Sequence, residues 1–104
     1  MIHITEPASE QIRQAARTGG MENLALRLAV RQLPDGTLDY GMGFDDPKPD
    51  DAHIEVSGLT IIIAPQHQAL LQDLVLDYVE LSPGDFRFIF QNPNDPQHGV
   101  PTQP

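Results

Sequence analysis

Three phenylalanines spaced two apart, Phe86, Phe88 and Phe90, constrain this chain more than any other feature. They lie in Leu74–Asn94, LVLDYVELSPGDFRFIFQNPN, where Leu74 and Leu76 alternate with Val75 and Asp77, and the phenylalanines with Arg87, Ile89 and Gln91. A period of two places every second side chain on one face of a strand. The stretch therefore predicts two strands around a Ser82-Pro83-Gly84-Asp85 turn, stopped at Asn92-Pro93-Asn94. Three aromatics on one face need a core, and the rest of the chain is expected to cover them.

Ile2 and Ile4 flank His3 as a short first strand. Thr5 suits an N-cap, Pro7 is tolerated in a first helical turn, and Ala8, Ile12 and Ala15 or Ala16 share one face. With Gly19-Gly20 as a stop, this predicts a helix at about residues 6–18. In Asn23–Gln32, Leu24, Leu26, Leu28 and Val30 point one way and Ala25, Arg27, Ala29 and Arg31 the other, a strand with one wetter face. Pro34-Asp35-Gly36-Thr37 is a turn, and Leu38, Tyr40, Met42 and Phe44 form the returning strand of a hairpin. Gly41 and Gly43 inside that strand are expected to mark a bulge or a close backbone approach.

Asp45–Asp51, DDPKPDD, reads as a solvated acidic loop whose two prolines keep it out of a sheet. His53–Val56 and Leu59–Ala64 are two strands joined at Ser57-Gly58, the second nearly all apolar and so expected to be central. Gln66–Gln72 is a short helix at best, and 95–104, with three prolines and one apolar residue, is expected to be a flexible tail after a single domain of residues 1–94. The fold class is mainly β with two short helices, α+β.

The chain carries fifteen acidic and six basic residues, a net charge of −9, which repels phosphate backbones and anionic membranes. Nucleic-acid binding is disfavoured: Arg27 and Arg31 share a strand face, but two arginines are a weak footprint. A basic protein partner suits the charge. There is no cysteine, which removes disulfides, thiolate metal sites and cysteine nucleophiles. MIHITEPASE has no basic region leading into an apolar one, and the longest apolar run, Leu59–Ala64, is too short to span a bilayer, so a cytoplasmic location is expected.

Catalytic groups are not assembled by any motif. His3, His53, His67 and His98 lack zinc spacing, Ser9, Ser57 and Ser82 lack a nucleophile elbow, and Asp77 and Glu80 point to opposite faces of a strand. Four aspartates in the 45–51 loop offer oxygen ligands, but not at EF-hand spacing. The expectation is a protein that is not an enzyme and holds no cofactor.

Over almost its full length the chain resembles the A-type iron–sulfur carriers of the HesB/IscA-like family. The resemblance rests on ITEPASEQIR, LRLAVR, Tyr40 through Asp46, Val56-Ser57-Gly58-Leu59, LDYVE, and Gly84 through Asn94. It implies a compact fold of packed mixed sheets, commonly assembled into dimers or tetramers, and three cysteine ligands. Counting from Tyr40 and Asn94 puts Asp35, Gly99 and Pro101 at those positions. Glycine and proline have no ligating side chain, and a lone carboxylate replaces a thiolate poorly at an iron–sulfur cluster.

What the resemblance implies is therefore narrower than carrier function. Cysteine-less members accompany dissimilatory sulfur oxidation, which implies an accessory or regulatory role around sulfite reductase, exerted through protein contacts. The docking features on this reading are the tail and Asp45, Asp46, Asp50 and Asp51. Loss of the cluster region tips the expected state toward a monomer. The alternative is an iron-binding or iron-delivery protein for iron–sulfur assembly, using Asp35, Asp39 and His98 at a subunit interface, although Asp35 is already explained as a turn residue.

Overall fold

The computed structural model describes residues 2–95. In order come β1 (His3–Ile4), α1 (Glu6–Gly19), β2 (Ala25–Gln32), β3 (Leu38–Asp45), β4 (Ala52–Val56) and β5 (Leu59–Ile63). Two single 3-10 turns, Pro65–His67 and Ala69–Leu71, lead into β6 (Val75–Ser82) and β7 (Asp85–Gln91). Residues 96–104, most of the expected tail, lie outside the described residues. No described helix is long and apolar enough to cross a membrane.

The helix forms where its caps dictate. The Thr5 hydroxyl accepts from the Ala8 amide at 3.4 Å and donates to Asp77 at 2.7 Å, so one side chain caps α1 and ties it to β6. At the other end Gly20 takes a left-handed φ of 69°, and the amides of Gly20 and Met21 return to the carbonyls of Arg17 and Ala16. Those paired bonds form a Schellman stop.

There is one α-helix, not two. The second expected helix, Gln66–Gln72, is instead the two 3-10 turns, neither with a side-chain cap. The segment is too short to offset the cost of helix nucleation, and Asp73 ends it at a left-handed φ of 62°.

Two mixed sheets result. One has the order β3-β2-β5-β4, with β2 and β5 parallel and both hairpins antiparallel; the other is β1-β6-β7, with β1 parallel to β6. β5 is central as expected, and Ile61, Ile62 and Ile63 are buried. Its hairpin with β4 turns through Ser57 and Gly58, both at positive φ, which matches the twist of the flanking strands. Leu26, Leu28 and Val30 of β2 meet Ile4, Ala8, Ile12, Ile61, Leu74, Leu76 and Phe90 in one core.

Two expectations about β3 and β7 are corrected. The β2–β3 register runs unbroken from Ala25↔Asp45 to Gln32↔Leu38, so Gly41 and Gly43 mark no bulge. Nor do they mark a close approach: a Cβ on Gly43 would meet nothing within 4 Å, and one on Gly41 only Ala29, at 3.8 Å. The three phenylalanines share a face, but it leaves the core along its length. Phe90 is 3% exposed, Phe88 half-buried, and Phe86 50% exposed beside the equally open Leu81. The hairpin is longer than the core beneath it, and Tyr78 covers the overhang, with its ring 4.7 Å from Phe88 and 5.6 Å from Phe86.

Candidate functional site

The end of β7 is built as a clasp. Asn92 is fully buried and its amide donates to the Leu70 carbonyl at 2.6 Å. Pro93 turns the chain so that Asn94 reaches back, donating to Leu70, to Gln72 and to the Asn92 side chain. The motif that reads as a strand stop thus closes β7 onto the 3-10 turns. One residue on, Asp95 is buried and accepts from the Tyr40 hydroxyl at 2.8 Å, while the Tyr40 ring lies parallel to Phe90 at 4.6 Å. Asp95 therefore belongs to the folded body. Burial, reinforced by the Asp95 carboxylate, pushes the Tyr40 phenol well above its usual range.

Asp35 sits in the β2–β3 turn. Its carboxylate accepts from the Thr37 hydroxyl at 2.6 Å and from the Thr37 amide at 3.0 Å, and those bonds hold it below the usual carboxylate range. Asp39 pairs with Arg31 at 2.8 Å, on the exposed face of the hairpin. Each aspartate is thus engaged by its own partner, and His98 lies outside the described residues. Among the described residues no group of three or more His, Asp or Glu side chains is placed to hold a metal ion.

The acidic loop is organised around Arg27. Its guanidinium donates to Asp45 at 2.7 Å and forks onto both oxygens of Asp51 at 2.9 and 2.6 Å. The Asp51 side chain is only 1% exposed, and it also accepts from the Lys48 amide at 2.7 Å. These donors, Arg27 first, lower the Asp51 carboxylate to about 2, and Arg27 likewise holds Asp45 below its usual range. Two of the four expected docking aspartates are thus spent in holding the loop. Asp46 and Asp50 are exposed and carry its outward charge. The arginines also lose their value as a nucleic-acid footprint, since Arg27 and Arg31 both face carboxylates.

Sequence reasoning missed Arg27 as the loop's anchor and the partnership of Tyr40 with Asp95. The only local signal was Asn-Pro-Asn, a run of turn formers whose buried first residue no periodicity reveals.

The profile for "Iron-sulphur cluster biosynthesis" matches residues 1–97. The chain belongs to that family. Within the family, it is 36% identical over 95 residues to a protein of the nifU 5′ region of Cereibacter sphaeroides, covering 90% of this chain and 89% of the relative. It is 30% identical over 94 residues to the iron-sulfur cluster insertion protein ErpA 2 of Methylococcus capsulatus, covering 89% and 72%. The structure is similar to that of IscA with a [2Fe-2S] cluster, with a TM-score of 0.80 and 28% identity, covering 100% of this chain and 99% of that one.

The donor set does not fit the family's cluster. A cluster takes thiolates, and this chain has none. Asp35 is engaged by Thr37, and Gly99 and Pro101 have no side chain that ligates.

Proposed function

We propose that this family member is a non-catalytic accessory protein that keeps the carrier fold, does not bind a cluster, and works by contacting another protein. One contrast carries the reading. The scaffold is intact down to the Asn92–Asn94 clasp, yet thiol chemistry is absent from all three expected ligand positions. The buried Asn92 of that clasp has its side-chain polar atoms hydrogen-bonded, to the Leu70 carbonyl and from the Asn94 amide.

The partner is expected to present a basic surface to Asp46 and Asp50. The system served, on the resemblance to cysteine-less members, is dissimilatory sulfur oxidation, with sulfite reductase as the first candidate. A relative from a nif region is compatible with accessory roles spread across metal-cluster enzymes. The iron-handling alternative comes second because Asp35 and Asp39 are held by Thr37 and Arg31.

The test is co-elution of the protein with purified dissimilatory sulfite reductase at low and moderate salt. A complex that weakens with salt and with Asp46→Asn plus Asp50→Asn supports the reading, since screened surface charges lose their steering. A complex indifferent to both would remove its electrostatic part, and no complex would remove this partner.

A further inference from the structure

A cavity of about 300 Å³ lies between the C-terminal half of α1 and the larger sheet, away from the clasp and the acidic loop. That volume is at the lower end of small-molecule sites. Its floor is apolar: Ile12 and Leu26 are almost fully buried there, and Leu24, Phe44 and Leu59 are half-buried around them. Arg13 on its wall is already held, donating to the Ser57 carbonyl at 2.7 Å and to Glu10 at 2.9 Å.

Arg17 and Glu22 also line the cavity, and both are exposed. Every other described arginine has a carboxylate partner: Arg13, Arg27, Arg31 and Arg87. Among the described residues Arg17 has none, in a chain with fifteen acidic residues, and Glu22 has no cation. They share one cavity and do not pair with each other. The position of Arg17 in the last turn of α1 complements the helix dipole, but that accounts for neither Glu22 nor the apolar floor.

We propose that this cavity binds a small zwitterion with an apolar body, of the class of an aliphatic or aromatic α-amino acid. Its carboxylate meets Arg17, its ammonium meets Glu22, and its side chain covers the floor. A simple carboxylic acid satisfies Arg17 but faces Glu22, and a simple amine has the opposite conflict. Both charged contacts are open to water, so each contributes modestly and the site is weak.

The test is an amide-resolved NMR titration of the full chain with L-leucine, 4-methylpentanoate and 3-methylbutylamine. Leucine is expected to shift the amides of Leu24, Gly58 and Leu59 saturably, with each analogue binding about two- to fivefold more weakly. Arg17→Gln should bring leucine down to the level of the amine, and Glu22→Gln down to that of the acid. No saturable shift with leucine up to about 50 mM, or an analogue that binds the unsubstituted protein as tightly, overturns the proposal.

Discussion

Tyr40 and Asp95 lie 55 positions apart in the chain and meet at 2.8 Å, the phenol donating to the carboxylate. Tyr40 belongs to β3, while Asp95 follows the clasp at the end of β7, so this bond joins the two sheets at the point where the segment bearing Gly99 and Pro101 begins. The described chain is thus closed across both sheets immediately before that segment, which carries no thiol.

Tyr40→Phe keeps the stack on Phe90 and removes only the hydroxyl. Taking a donor from a buried carboxylate costs about 1–3 kcal/mol. In a domain of this size each kcal/mol lowers Tm by roughly 4–8 °C. Hydrogen exchange at residues 92–95 should accelerate more than in β2. An unchanged Tm would show that the bond contributes nothing.

Asn92→Ala removes the donor to Leu70 and the acceptor for the Asn94 amide in one step. The expected loss is about 1–3 kcal/mol, read from the midpoint of urea unfolding at unchanged slope. A loss under about 0.5 kcal/mol would mean that water replaces the clasp without penalty.

The acidic loop gives a pH dependence with a definite sign. Asp51 and Asp45 have carboxylates held below their unfolded values by Arg27, so their contribution is complete above about pH 4 and fades as pH falls toward 2. Amide signals of residues 45–51 should broaden or shift in that window. In Arg27→Gln the same change should move upward in pH, toward ordinary carboxylate behaviour. An Arg27→Gln profile that coincides with the unsubstituted one would show that Arg27 does not set it.

Restoring thiols tests the scaffold from the other side. The triple substitution Asp35→Cys, Gly99→Cys and Pro101→Cys should gain a coloured, sulfide-containing species on anaerobic reconstitution, because the described residues carry the fold of a [2Fe-2S]-bound relative. A folded triple variant that stays colourless would show that more than the ligands has been lost.

The fold was legible where the signal was local. The capped helix, the Pro-Asp-Gly and Ser-Gly turns and the nearly all-apolar β5 follow from residues a few positions apart. Sequence could not show how far a core extends under a strand, and so the Phe86 end of the hairpin was placed in the core when it overhangs it. It also could not show partners chosen by tertiary geometry. Arg27 finds Asp51 24 positions away, and Asn92 finds Leu70 at 22. The second helix failed for a different reason: two leucines in a short polar run fit one turn as well as a helix.

The most direct test of the central claim is iron and sulfide content after anaerobic reconstitution of the unsubstituted protein and desalting. The account predicts a colourless protein with no retained iron. Stoichiometric iron, lost on Asp35→Ala or His98→Ala, would contradict it and show the family's site rebuilt from oxygen and nitrogen ligands.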